Sequence, residues 1–166
     1  MKPSNISSKS LIRSIMISLL TVSMVGLLGA CAADPPPKPD PLGIQITATA
    51  DVNPDMQGRP SPIILHIMEL SSTEQFSRLD YMGLTQPSGA GLGPDLLVKN
   101  QMVLQPGESK TLSMDLNPMT TAIGFVAGYR DIDNAAWRKT VPVAIGITKG
   151  VNITLGQTQI DTTVSN

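Results

Sequence analysis

Residues 61–70 read SPIILHIMEL, and this run decides the fold because it is apolar at nearly every position. A β-strand places successive side chains on opposite faces, so apolar residues on both faces predict a central strand that is covered on both sides. Upstream, residues 44–50 alternate apolar and polar side chains, which predicts a strand with one buried face. The ordered part of the chain therefore begins as two strands joined by a loop.

Short β-runs separated by Gly, Pro and Asn continue to the C-terminus. Two of them, 99–104 and 110–116, flank Gln-Pro-Gly-Glu at 105–108, and we predict a hairpin there because Pro fixes φ and Gly tolerates positive φ. The other runs are 121–129, 139–147, 151–155 and 159–164. About seven strands separated by regular turns are typical of an all-β protein with a two-sheet β-sandwich.

One region, residues 72–82 (STEQFSRLDYM), has a helical pattern. Ser and Thr precede Glu74 as a capping signal, and Phe76 and Leu79 are spaced to share one helix face. A Gly-rich loop follows through Gly93, and residues 94–98 favour a further turn of helix. We therefore predict a small helical insertion at about 72–98, between strands 2 and 3.

The N-terminus has the layout of a signal peptide. Residues 1–30 contain three basic residues, an apolar run at 14–28 and small residues before a cut. The only cysteine, Cys31, follows in Leu-Gly-Ala-Cys, which resembles the bacterial lipoprotein signal, so we predict lipid attachment at Cys31. An ordinary signal peptide and an uncleaved inner-membrane anchor are the alternatives, although a run of 15 residues is short for a membrane span.

Residues 31–41 are predicted to form a lipidated, proline-rich tether to a sandwich at 42–166. The five prolines in 32–41 prevent regular hydrogen bonding and favour an extended polyproline II conformation that reaches roughly 30 Å. Ala32 follows the cysteine where enterobacterial lipoproteins retained in the inner membrane usually carry Asp. By that resemblance, the protein is expected at the periplasmic face of the outer membrane.

The composition excludes several classes of function. The 166 residues carry 12 Lys+Arg and 13 Asp+Glu, and loss of residues 1–30, with three cations and no acid, leaves nine cations against 13 acids. This balance argues against nucleic-acid binding, which needs clustered cations. One Cys and one His exclude an internal disulfide and any metal site built on several cysteines or histidines. We expect no metal, no cofactor and no enzymatic activity.

Three local patterns resemble known sites, and each lacks an essential part. Residues 51–58 begin like a calcium loop, but the required Gly and closing acid are missing, so an Asx-type turn is favoured. Residues 89–93 (GAGLG) are half a dinucleotide fingerprint without its βαβ context, and we interpret them as a mobile loop. His66 has no second His and no triad context, so we interpret it as a partly exposed or hydrogen-bonded strand residue.

The string YRDIDNAAWR at 129–138 contains two nearby carboxylates. Glycoside hydrolysis needs such a pair across a cleft that binds sugar, and the chain is too poor in aromatic residues to favour one. We predict that Arg130 pairs with an acid and that Trp137 fills the core.

Several segments, taken in order, resemble one known family. They are VNPD at 52–55, GRPSP at 58–62, EL at 69–70, Phe76 with DY at 80–81, LGPDLL at 92–97, LQPGE at 104–108 and YRD…WR at 129–138. Over about residues 51–142 the chain resembles the TssJ family (also called SciN or VasD), the outer-membrane lipoprotein of the type VI secretion system. The resemblance implies a transthyretin-like β-sandwich with a small helical insertion.

The same resemblance implies a partner and a binding site. The expected partner is the periplasmic part of TssM, and through it TssL at the inner membrane. In the family the loop between the first two strands contacts TssM, which here is loop 51–60. Within it we take Asn53, Asp55, Met56 and Arg59 as partner-binding residues. The alternative is a periplasmic small-ligand-binding lipoprotein that holds its ligand between loops of the sandwich.

Overall fold

The computed structural model describes residues 39–87 and 89–165. Cys31, the predicted signal peptide and nearly all of the predicted tether lie outside these residues. Within the described ranges, none of the helices has both the length and the apolar character needed to cross a bilayer.

The described chain contains eight strands in two four-stranded sheets. In chain order they are β1 (Leu42–Ala48), β2 (Ile63–Leu70), β3 (Leu96–Leu104), β4 (Ser109–Met114), β5 (Ala122–Ala127), β6 (Arg138–Pro142), β7 (Gly150–Leu155) and β8 (Ile160–Ser165). The first sheet has the order β4-β1-β7-β8 and the second β3-β2-β5-β6. All neighbouring strands are antiparallel except β1 and β7. The predicted all-β, two-sheet sandwich is confirmed.

The strand directions sort the loops into two ends of the sandwich. The tether end, where the chain arrives at Leu42, carries the loops 115–121 and 143–149. The opposite end, called the distal end below, carries loop 49–62, turn 105–108, loop 128–137 and turn 156–159. Hydrogen bonds join these neighbours: Gly107 N donates to Thr49 O at 3.1 Å, and Ala136 N donates to Thr158 O at 2.7 Å.

The hairpin predicted around 105–108 is wrong, although the turn itself forms. Glu108 N donates to Gln105 O at 3.0 Å, and Gly107 has φ 77°. However, β3 pairs with β2 and β4 pairs with β1, so the turn carries the chain from one sheet to the other. With this pairing, the apolar residues of β3 and β4 face the same core from opposite sheets. In the second sheet, for example, Leu104 lies opposite Ile63. A flat hairpin would have placed both strands in one sheet.

The main core lies between the two sheets. Alternate residues of β1 face inward, and Ile44, Ile46 and Ala48 are buried, as the alternating pattern predicted. Leu42 is buried as well, whereas Ala50, expected on the same face, is exposed because β1 ends at Ala48. From the second sheet, Ile63, Leu65 and Ile67 of β2 and Phe125 of β5 belong to the same cluster. Such burial contributes about 25 cal/mol for each Å² of apolar surface removed from water, so the sheet faces hold the sandwich together.

The helical insertion covers the outer face of the second sheet. It consists of α1 (Glu74–Arg78), α2 (Tyr81–Thr85) and a 3-10 turn (Gly93–Asp95). A second buried cluster joins Phe76, Leu84 and Leu92 of the insertion to Met68, Leu70 and Val126 of the sheet. The prediction that the strand in 61–70 is covered on both faces is therefore confirmed.

The insertion differs in detail from its prediction. The single helix expected at 72–82 is two short helices, because Asp80 caps the second one: its Oδ1 accepts a hydrogen bond from Gly83 N at 2.8 Å. Of the residues 94–98 expected to add a turn of helix, 94–95 end the 3-10 turn and 96–98 already belong to β3. The segment interpreted as a mobile loop is anchored by Leu92, which is fully buried.

Two cations on the edge strands hold the two helices on the sheet. Lys99 on β3 donates from Nζ to Leu84 O at 2.9 Å and to Gln86 O at 2.6 Å, at the C-terminal end of α2. Arg138 on β6 donates from Nη1 to Leu79 O at 2.8 Å, at the end of α1. Cations are favourable at helix C-termini because the free carbonyls carry partial negative charge.

Trp137 is half-buried, so the prediction that it fills the core is wrong. It packs against the edges of both buried clusters. Its ring meets Tyr81 edge-on, with centroids 5.6 Å apart, and Arg138 Cζ lies 5.1 Å from its centroid. The fully buried aromatic residues are Phe76 and Phe125.

His66 is also buried, with 6% of its surface exposed, and its Nδ1 has no hydrogen-bond partner among the described residues. The interpretation of His66 as partly exposed or hydrogen-bonded is therefore wrong at this atom. Burial, and secondarily the nearby charge of Lys99, lower the pKa of the His66 imidazole below its ordinary value.

Candidate functional site

Loop 51–60 at the distal end folds into a hydrogen-bonded turn around Asp55. Asp55 Oδ1 accepts from the backbone amides of Gln57 at 2.9 Å and Arg59 at 3.0 Å, so the predicted Asx-type turn is confirmed. Asp55 Oδ2 accepts from Arg59 Nε at 2.8 Å and lies 2.7 Å from Nη2. The hydrogen bond from the Arg59 side chain, followed by that from the Arg59 amide, lowers the pKa of the Asp55 carboxyl to about 2.

Asn53 joins this loop to the rest of the distal end. It is 3% exposed and has φ 50°, a left-handed conformation that Asn tolerates better than most residues. Its Nδ2 donates to Pro62 O at 2.8 Å, and its Oδ1 accepts from Arg130 N at 2.8 Å. Its own backbone amide donates to Gln157 O at 3.3 Å. Asn53 thus ties together loop 49–62, loop 128–137 and turn 156–159.

These three segments enclose an open cleft of about 730 Å³. Residues 53–57 and Arg59 form one wall, residues 129–131 another, and residues 157–158 the third. The charged residues of the cleft are two arginines and two aspartates, so their formal charges cancel.

Arg130 contributes an unpaired guanidinium to the cleft. No other described residue forms a hydrogen bond or ion pair with its side chain, so the predicted pairing of Arg130 with an acid is not seen in the described structure. The neighbouring carboxylate of Asp131 instead accepts from Asn134 Nδ2 at 2.8 Å.

The four residues predicted to bind a partner occupy different positions. Met56 lies at the tip of the loop and is 99% exposed. The side chain of Arg59 is 74% exposed while that of Asp55 is 16% exposed, because Arg59 lies over the turn that Asp55 builds. Asn53 is buried beneath them. Met56 and Arg59 therefore present the surface, and Asp55 and Asn53 hold it in place.

Sequence reasoning missed Tyr129, Arg130 and Gln157 as parts of this site. The string at 129–138 has an unusual composition, but nothing in it indicates that Arg130 lies against Asn53, which is 77 residues earlier in the chain. Tyr129 is buried, and its hydroxyl donates to Gln159 O at 2.6 Å. Burial raises the pKa of the Tyr129 phenol, and the negative charge of the nearby Asp161 raises it further.

The cleft has the chemistry of a recognition surface. No His, Cys, Ser or Lys lines it, and its one phenol already donates to a carbonyl. Across the described ranges, no cluster of three or more His, Cys, Asp or Glu could hold a metal ion. The available groups can bind a partner through a guanidinium, amides and an exposed thioether.

A rigid β-sandwich that presents a pre-formed loop cleft at one end defines a binding protein, because loops on a scaffold recognise partners without disturbing the core. The family model described as type VI secretion lipoprotein, VasD, EvfM, TssJ, matches residues 40–158. The chain therefore belongs to the type VI secretion lipoprotein (TssJ) family, as its motifs predicted.

Solved structures agree with this assignment. The lipoprotein TssJ1 from Pseudomonas aeruginosa is 34% identical with a TM-score of 0.74, and the match covers 77% of this chain and 98% of that one. Lip from Serratia marcescens, a membrane-bound component of the type VI secretion system, is 21% identical (TM-score 0.66, 77% and 99% covered). A chain in the structure of the TssM C-terminal domain from EAEC is 22% identical (TM-score 0.63, 76% and 98% covered). At 21% and 22% identity, the matches to Lip and to the chain from EAEC support the fold alone. No curated protein matches the chain.

Proposed function

We propose that this chain is the outer-membrane lipoprotein of a type VI secretion membrane complex. In this role Cys31 carries the lipid, and the distal end of the sandwich binds the periplasmic part of TssM, which connects to TssL at the inner membrane. The observation that carries the proposal is the family match over residues 40–158. A chain of this fold in the structure of the TssM C-terminal domain from EAEC supports the choice of partner.

The direction of β1 supports the distal end as the binding surface. The chain enters the sandwich at Leu42, next to the predicted tether, and β1 runs for seven residues before loop 49–62 begins. At about 3.3 Å per residue, β1 places the cleft roughly 20 Å from Leu42, at the opposite end of the sandwich. We propose that the partner binds at this end, where loop 51–60 lies.

The fixed shape of loop 51–60 supports direct contact with the partner. Asp55 and Asn53 hold the backbone in the free protein, so binding loses less conformational entropy than ordering a flexible loop would. Met56 presents an unbranched, flexible apolar side chain that adapts to an irregular pocket. Buried Asn53 serves the interface by positioning the loop.

We propose a structural role and no catalysis, since the cleft offers no nucleophile paired with a base. The alternative, a small-ligand-binding lipoprotein, has one observation in its favour: about 730 Å³ falls within the size range of ligand pockets. The family match favours the secretion complex, and the binding experiment separates the two.

The test compares two loop replacements in the soluble sandwich, residues 38–166. This segment is one compact unit, and the match to the TssJ1 chain, which is 98% covered, indicates that such a sandwich folds without the signal segment. Residues 54–58 are replaced by Gly/Ser of equal length, which spares Asn53, and the control replaces 144–148, in the loop at the tether end, in the same way. Affinity for the periplasmic part of TssM is measured by calorimetry.

We expect the 54–58 replacement to weaken binding at least about tenfold, or about 1.4 kcal/mol, with a melting temperature within several degrees of wild type. The control should bind with less than a threefold change. Retained affinity in the 54–58 variant would move the interface elsewhere, to the helical insertion first. Absence of wild-type binding, together with a small molecule that raises the melting temperature, would favour the ligand-binding alternative.

A further inference from the structure

We propose that the cleft as a whole, and not loop 51–60 alone, is the binding surface. It receives an extended partner segment that places a carboxylate on the Arg130 guanidinium and an apolar side chain against Met56. The inference rests on the proposed function and adds to it the chemistry of the partner and a contact residue on a second loop.

Arg130 is the first part of the argument. Asp55, Arg59 and Asp131 each have a side-chain partner within the protein, whereas the Arg130 side chain has none among the described residues. Its backbone amide is held by Asn53 Oδ1 at 2.8 Å, so the base of the side chain has a fixed position. A guanidinium offers five donors in a planar fork that matches a carboxylate through two parallel hydrogen bonds. A partner carboxylate therefore fits this wall.

Met56 is the second part. Its neighbours Asp55 and Gly58 hold the turn, through the hydrogen bonds of Asp55 and through the positive φ of 76° at Gly58. The turn thus holds an almost completely exposed thioether side chain at the rim of a polar cleft. Burial of this side chain by a partner removes apolar surface from water without any rearrangement of the loop.

The position of the two residues on different walls identifies the kind of partner. Arg130 comes from loop 128–137 and Met56 from loop 49–62, and the cleft runs between them. A polypeptide segment with an acidic and an apolar side chain spans both. The charges of the two arginines and two aspartates cancel, so the shape of the guanidinium fork decides recognition more than long-range attraction does.

The experiment uses the full chain extracted in detergent and the periplasmic part of TssM. The variants are Arg130→Gln, Arg130→Lys and Met56→Ala. Two controls make comparable changes outside the cleft, both at exposed positions. Lys139→Gln on β6 removes a positive charge, and Met82→Ala on α2 removes a thioether side chain. Affinity is measured for each variant, and circular dichroism confirms the fold.

We expect Arg130→Gln to weaken binding about tenfold or more and Met56→Ala about fivefold or more, with both controls within twofold of wild type. Arg130→Lys keeps the charge but not the fork, so it should lose most of what Arg130→Gln loses. Each acidic residue of the partner is also replaced in turn, and its affinity is measured for wild type and for Arg130→Gln. We expect one of these replacements to weaken binding to wild type and to leave binding to Arg130→Gln unchanged, which identifies the carboxylate that contacts Arg130.

Three outcomes overturn the inference: Arg130→Gln that binds like wild type, Met56→Ala that binds like wild type, or controls that lose as much affinity as the cleft variants. If Arg130→Lys binds as tightly as wild type, charge alone suffices and recognition by the fork is wrong. A wild-type chain that does not bind TssM at all instead contradicts the proposed function.

Discussion

Asn53 Oδ1 accepts a hydrogen bond from the backbone amide of Arg130 at 2.8 Å, between residues 77 positions apart in the chain. The same side chain donates to Pro62 O at 2.8 Å. One buried amide therefore fixes the relative position of the two loops that form the cleft. The predicted contact residue is thus a link between the walls of the site, and its loss should affect stability and binding together.

We expect Asn53→Ala to lower the free energy of unfolding by about 2–4 kcal/mol. The change leaves the Arg130 amide and the Pro62 carbonyl without their partner, at about 1–3 kcal/mol for each buried polar group, and it puts Ala at φ 50°. Asn53→Gly loses the same bonds but relieves the backbone strain, so it should be about 1 kcal/mol more stable than Asn53→Ala. Urea unfolding measures both, and equal stability of Asn53→Ala and wild type would contradict the link.

Trp137 should matter less than a fully buried aromatic residue. Because it is half-buried at the edge of both clusters, we expect Trp137→Ala to cost about 1.5–3 kcal/mol, mostly through lost packing against Tyr81 and Arg138. Phe125→Ala in the main core is the matched comparison, with an expected cost of about 3–5 kcal/mol. Urea unfolding of both variants gives the order, and a larger loss for Trp137→Ala would contradict it.

The elements that the sequence predicts well are those whose signal is local. The apolar run at 61–70 indicates burial on both faces without any knowledge of what covers it, and Phe76 with Leu79 indicates a helix. The two-sheet architecture follows from the number of runs and turns. The resemblance to the family adds the partner and the loop that contacts it.

The features that the sequence misses depend on contacts between distant segments. The turn at 105–108 has the same local chemistry in a hairpin and in a connection between sheets, so only the pairing of β3 with β2 decides between them. The position of Arg130 in the cleft depends on the hydrogen bond between its amide and Asn53, which lies 77 residues earlier. The burial of His66 depends on packing around β2 by segments that are distant in the sequence, among them β3 and β5.

His66 predicts a pH dependence of stability. Its pKa in the folded state is lowered below the ordinary value of about 6.5, first by burial and then by Lys99, so the unfolded chain binds the proton more readily. Above about pH 6.5, His66 is neutral in both states and its contribution to the free energy of unfolding is complete. As the pH falls, the unfolded chain takes up the proton first, so stability decreases until the pH passes below the pKa of the folded state. We expect wild type to lose stability relative to His66→Gln in this window.

The measurement is urea unfolding of both proteins between about pH 7.5 and pH 5. The difference between the two curves isolates His66 from the carboxyl groups, which titrate at lower pH. Parallel curves would show that His66 has the same pKa in the folded and unfolded states.

Cys31→Ala should abolish lipid attachment and leave the sandwich folded. The residue precedes the first strand in the sequence and is not part of the predicted sandwich at 42–166. Labelled palmitate should be incorporated into wild type and not into Cys31→Ala, while the sandwich retains its melting temperature. Equal incorporation into both proteins would contradict attachment at Cys31.

Ala32→Asp tests the destination of the lipoprotein separately from its lipidation. Under the enterobacterial sorting pattern, Asp directly after the lipidated cysteine retains the protein in the inner membrane, so the variant should take up palmitate but sediment with inner-membrane vesicles. Ala33→Asp introduces the same charge one position later and should sediment with the outer membrane like wild type. Both positions precede β1 in the sequence, and we expect both purified variants to bind TssM with wild-type affinity. In cells, however, Ala32→Asp should disrupt the proposed bridge, because its two ends would then lie in the same membrane. Wild-type sedimentation of Ala32→Asp would show that the residue after the cysteine does not determine the destination.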